Sequence, residues 1–183
     1  MPVKTIEIQS NFIGDFKVGD NLVYNSSLLC KLAEAGSVYN KLIVVQIGSI
    51  IEAALSQIFY RARSFTREGV PNILEADRAE IEKKTVEKFA VIIDVSKKYK
   101  LLDDLGADVY DELHKLRKYR NKVHIQAEFD IASVPRDEEK AYSDIVRSWA
   151  FGLNVKILEF LGKKYPRPEG LGSFVQNLTV PSC

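Results

Sequence analysis

The chain reads as an all-α protein, a helical bundle of about four to five helices with an irregular N-terminal arm. Three observations predict this. Apolar residues recur at helical rather than alternating spacing over most of the length. Strand signals are too few for a sheet-based fold. A chain of 183 residues that is 46% hydrophobic and 28% charged suits one soluble domain able to bury its own core.

Residues 1–25 alternate weakly through Val3, Ile6 and Ile8 and contain Gly14 and Gly19, so they are assigned to the arm, as a short strand or an extended segment. The helical domain then occupies residues 26–165. Asn25-Ser26-Ser27 is a candidate N-cap for a first helix ending near Gly36. Ser37 to about Arg63 reads as a long helix, apolar on most faces. Within it, Leu42 to Phe59 holds twelve apolar residues in eighteen, a density that invites comparison with a membrane span. Glu52 at its centre makes a buried helix of a soluble bundle the better reading.

Residues 66–72 form a break punctuated by Gly69 and Pro71. Asp77 to Lys100 forms a third helix, with Ile81, Thr85, Lys88 or Phe89, Ile92 and Val95 or Ser96 as its inward stripe. Asp108 opens a fourth helix, acidic at its start and basic toward its end, as the helix dipole favours. Residues 127–137 are a loop. A last helix runs from Asp137 or Glu138 to about Lys163, with Tyr142, Ile145, Val146, Trp149, Leu153, Ile157, Phe160 and Leu161 as its apolar face. The tail, 166–183, is irregular, with Pro166, Pro168, Gly170 and Gly172.

Several function classes are disfavoured. A net charge of +1 gives no global attraction to nucleic acid, so any such role must rest on local clustering. Cys30 and Cys183 follow no metal or redox spacing, which suits reduced thiols in a cytoplasmic protein. Lys4, Glu7 and Asp15 interrupt any secretory-signal core. No cofactor motif and no cluster at metal-ligand spacing is visible.

One stretch departs from this plain composition. From Leu113 to Ala127 there are five Lys/Arg and no Asp or Glu, and both histidines, His114 and His124, lie there. A helix turns about 100° per residue, so Arg117 and His124 project from nearly the same direction, with Asn121 between them. Tyr110 and His114 extend that stripe toward the N-terminus, while Val109, Leu113, Leu116 and Val123 form an apolar stripe beside it. Arginine holds phosphate oxygens in a bidentate fork, and histidine exchanges protons near neutrality. RNA carries its own nucleophile in the 2′-hydroxyl, so positioning, charge stabilisation and one proton shuttle suffice without a metal.

The run Leu113-x-x-Leu-Arg-Lys-Tyr-Arg-Asn-Lys-Val-His124, preceded by the helix around Val45 to Leu55, resembles the HEPN superfamily, whose hallmark is an arginine, four to six residues, then a histidine. Arg117 fits by spacing; Arg120 fits by its Asn121 neighbour but stands only three residues short of His124. The resemblance implies a HEPN-like bundle that forms a homodimer, with the two motifs meeting at the interface as a metal-independent endoribonuclease. It implies His124 as the proton-transfer group and Arg117 as the phosphate-holding residue. Arg120, Asn121 and Glu52 would support them, and Lys115, Lys118 and Lys122 would attract RNA. Many relatives are toxins or antiphage effectors, which adds an antitoxin or another protein to the candidate partners.

The same residues admit plainer readings. The cations suit a solvated face near a helix C-terminus, His124 a cap, and Tyr110, His114 and Tyr119 packing. Glu52, an acid on an apolar helix, calls for a cationic partner, with Arg117 or His124 as candidates. The expectation is therefore a cleaver of single-stranded RNA, and the alternative a non-catalytic helical module that binds RNA or a protein partner.

Overall fold

The structure, a computed structural model, describes residues 3–64, 70, 73–83, 86–123, 134–169, 171 and 175–182. Among them are seven helices and one two-stranded sheet, so the all-α expectation holds. His124, Thr85, Cys183 and most of the 66–72 and 127–137 segments lie outside the described residues.

Strand β1 (Thr5–Ile8) leads into α1 (Phe16–Ala35), and a 3-10 turn (Ser37–Tyr39) connects it to α2 (Asn40–Ser64). Next come α3 (Glu75–Lys83), α4 (Phe89–Lys98), α5 (Val109–Asn121), α6 (Glu138–Ala141) and α7 (Asp144–Lys164), and then β2 (Leu178–Pro181). The core is built around α2, which packs against α1, α5 and α7. Its Ile43, Val44, Ile47, Ile51 and Ala54 are fully buried. The stretch Ser37–Ser64 is long and apolar enough to cross a membrane, but 61% of its most apolar window is buried inside the fold. Its apolar surface is used against neighbouring helices.

The arm requires correction. The first helix begins at Phe16, not near Ser26, because Asp15 caps it by accepting from Val18 N at 3.1 Å. Buried Gln57 of α2 secures the same end, its Oε1 accepting from Gly14 N at 3.2 Å and Asp15 N at 2.9 Å. Gly14 and Gly19 resemble helix breakers in sequence, yet they serve close approach. A Cβ on Gly19 would come within 2.4 Å of Val175, and one on Gly14 within 2.6 Å of Arg61 Cγ. The tail is corrected too: β2 pairs antiparallel with β1, from Thr5 opposite Pro181 to Ile8 opposite Leu178.

Two predicted helices are divided. The third separates into α3 and α4, and the last into α6 and α7, where Asp137 and Ser143 cap successive starts. Ile81, Phe89, Ile92, Val95 and Ser96 are all buried as the inward stripe requires. Ile145 is not, at 82% exposure. It precedes fully buried Asn154 by nine residues, about half a turn around α7, and so faces outward.

Candidate functional site

Helix α5 starts with Asp111 and Glu112 in its first turn and carries Lys118 and Arg120 in its last, matching the dipole. Val109, Leu113 and Leu116 are fully buried and Tyr119 nearly so, which seats the helix against α2 and α4. Val123, expected in the apolar stripe, is 49% exposed just beyond the helix end.

Arg120 is fixed at a junction of three helices. Its stem lies over Gly48 of α2, where a Cβ would come within 2.8 Å of Arg120 Cβ and 2.9 Å of its Cγ. Its Nη2 donates to Glu52 Oε2 at 2.5 Å, one turn further along α2, and its Nη1 donates to Asn121 Oδ1 at 3.3 Å. The Glu52 side chain is only 17% exposed and also accepts the backbone N–H of Phe89, the first residue of α4. Lys88, at the cap position of α4, makes no side-chain cap bond, so the Glu52 carboxylate supplies the anion that this helix start favours. Burial pushes the Glu52 carboxyl above its ordinary value, against the opposing pull of Arg120 and the Phe89 N–H.

Two predictions arise here. Gly48→Val is expected to lower stability by about 1–3 kcal/mol in urea unfolding, because the added atoms meet the base of Arg120 and not its flexible tip. A change near zero would show that the helices can separate freely. The second concerns pH. With the folded pKa of Glu52 above the ordinary 4.5, the folded state retains a proton that the unfolded chain has released. Glu52's contribution to stability therefore falls as pH rises through that window. The stability of Glu52→Gln relative to wild type should rise over the same window, measured by urea unfolding from acid to neutral pH. A flat or falling difference would contradict it.

The other α5 side chains diverge. Tyr110 is buried, its hydroxyl accepting from Leu102 N at 3.1 Å and lying 2.8 Å from Asp103 Oδ1. His114 Nε2 is 3.3 Å from Asp94 Oδ1 of α4. Lys115 extends toward α7, its Nζ 4.4 Å from the centre of the Trp149 ring, while Trp149 Nε1 donates to Glu112 at 3.2 Å. Lys122 is buried and Lys118 half-buried, and both take part in interactions. Ser49 and Ser56, which could have extended a polar stripe from Glu52, donate to carbonyls of their own helix at 3.2 and 2.7 Å.

Arg117 differs from the rest. It is half-buried, its Nε is buried without a hydrogen-bond partner, and it makes no ion pair among the described residues. Arg117 and Arg120 lie about 60° apart around α5, whereas Arg117 and Lys115 lie about 160° apart. The structure thus brings Glu52, Arg120 and Asn121 together, sets Arg117 beside them, and turns Lys115 away; His124 lies outside the described residues. Gly48 and the Phe89 N–H escaped sequence reasoning. A lone glycine one turn before the only acid of an apolar helix was the available signal for Gly48.

Among the described residues no three His, Cys, Asp or Glu side chains gather as a metal-binding group. The fold and this junction define an all-α bundle with an arginine-bearing helix across its central helix. No protein-family model, curated protein or solved structure matches the chain.

Proposed function

We propose that this protein is a HEPN-like, metal-independent endoribonuclease acting on single-stranded RNA as a cytoplasmic homodimer, in the manner of a toxin or defence effector. The observation that supports the reading best is Arg117, whose buried Nε lacks a hydrogen-bond partner and which makes no ion pair among the described residues, beside the ion-paired Arg120. Arg120 is held by Glu52, so Arg117 takes the scissile phosphate and Arg120 with Asn121 sets the local geometry. His124 exchanges the proton at the 2′-hydroxyl and the leaving oxygen, giving a 2′,3′-cyclic phosphate. A second α5 from the partner copy completes the site, and Lys118 adds positive potential, whereas Lys115 is turned away over Trp149 and Lys122 is buried.

The test is cleavage of an unstructured RNA in EDTA by wild type, Arg117→Ala and His124→Ala. Equal cleavage by all three, or none by a folded wild type, removes the proposal. A second reading, a non-catalytic module for RNA or a protein, draws support from the dispersal of the α5 cations and the engagement of Lys115 with Trp149. It predicts no cleavage, with RNA association that weakens as salt rises or no RNA association at all.

A further inference from the structure

An open groove of about 590 Å³ runs between the start of α2 and the α6–α7 corner, lined in part by Tyr142, whose hydroxyl donates to Tyr119 O of α5 at 2.9 Å. Its lining includes three carboxylates, Glu138, Glu139 and Asp144, against one lysine, Lys41. Lys41 Nζ donates to Glu138 Oε2 at 2.7 Å. Asn40 Nδ2 donates to Asp144 Oδ1 at 3.0 Å, and Arg147 lies 3.3 Å from the same oxygen.

These bonds leave acceptors over. Asn40 is 6% exposed, and its Oδ1 is buried without a donor; the same is true of Glu138 Oε1. Glu139 is exposed and forms no ion pair among the described residues. Acids in the first turns of α6 and α7 are expected from helix dipoles. The dipoles do not explain unpartnered acceptors, which folded proteins ordinarily satisfy. Nor do they explain the apolar side chains of these segments, where Val38 and Ile145 are each 82% exposed and Leu42, next to Lys41, is 50% exposed.

A groove that is anionic and rich in acceptors, with exposed Val38 in its lining and exposed Leu42 and Ile145 adjoining Lys41 and Asp144 in sequence, complements a cation with several N–H donors carried between apolar neighbours. Arginine in a peptide has that form, its planar fork delivering parallel donors to carboxylate and amide oxygens. We propose that this groove docks a basic, apolar-flanked segment of a protein partner, with an arginine guanidinium meeting Asn40 Oδ1, Glu138 and Glu139. The carboxylates disfavour phosphate here, which distinguishes the groove from an RNA path even though Tyr142 joins it to α5.

The test uses the full chain and two short synthetic peptides, identical except that a central arginine flanked by leucines in one is citrulline, its neutral analogue, in the other. The arginine peptide is expected to shift backbone amide resonances within residues 37–42 and 138–145. Its dissociation constant is expected to weaken about tenfold on replacement by citrulline or on Glu139→Gln. Ile145→Ser, a second exposed position, should weaken both peptides alike. Absence of binding, equal binding of the two peptides, insensitivity to both substitutions, or shifts centred elsewhere overturns the proposal. So does a single-stranded RNA that perturbs these same residues.

Discussion

Cleavage of an unstructured RNA in EDTA is expected to fall about a hundred- to ten-thousand-fold on either Arg117→Ala or His124→Ala. The size follows from the proposed roles: a positioned proton-transfer group contributes about 10²–10⁴-fold, and one charge-stabilising donor about 10²–10³-fold. What makes the experiment specific is the contrast between the two arginines. Arg117→Ala removes a side chain with a buried, unpartnered Nε, so its stability should stay within about 1 kcal/mol of wild type. Arg120→Ala removes the partner of a carboxylate that is 17% exposed. After discounting for the 35% exposure of Arg120 itself, a loss of about 1–2 kcal/mol is expected. Loss of cleavage without loss of stability at Arg117 is therefore the expected signature. Full activity in Arg117→Ala with none in a folded Arg120→Ala would assign the phosphate to the other arginine.

The second large effect is structural. Arg61→Met is expected to reduce stability by about 3–5 kcal/mol, read as a lower urea midpoint with an unchanged slope. Arg61 is 2% exposed, near the C-terminal end of α2, and its guanidinium donates to three backbone carbonyls. These are Phe12 O at 3.3 Å, Tyr165 O at 2.5 Å and Pro166 O at 3.3 Å. One side chain thus ties the segment before α1 to the exit of α7. Methionine retains much of the apolar stem but offers no donor, leaving those carbonyls without this partner. The neighbouring Tyr165 hydroxyl donates to Leu101 O at 2.6 Å, and burial pushes its pKa up to about 12, so it stays protonated at neutral pH. A loss below about 1 kcal/mol would show that water replaces the arginine without difficulty.

Features set by short-range periodicity were legible in the sequence. The burial of α2 followed from its apolar density, and the inward faces of α4 and α5 followed from helical spacing. Features set by distant contacts were not. Gly14 and Gly19 signal a break when read locally, yet they abut Arg61 and Val175 and allow α1 to start at Phe16. The strands β1 and β2 are four residues each and lie at opposite ends of the chain, so neither carries a strong signal alone. The division into α6 and α7 depends on the Ser143 cap, and it leaves Ile145 facing outward.

The candidate site divides in the same way. The sequence by itself determined the inventory and phase of α5: the arginines at 117 and 120, their spacing to His124, and the apolar stripe that seats the helix. It also marked Glu52 as an acid in need of a partner. The tertiary structure corrects the partner the sequence suggested: Glu52 pairs with Arg120 and not with Arg117, because Gly48 brings the Arg120 stem against α2 one turn from Glu52. Gly48 lets α5 approach closely, the Phe89 N–H holds the Glu52 carboxylate, and Arg120 completes the junction, leaving the Arg117 guanidinium without an ion pair among the described residues. Helical phase follows from residue order along one element, whereas ion pairing follows from distances between elements that are far apart in the chain.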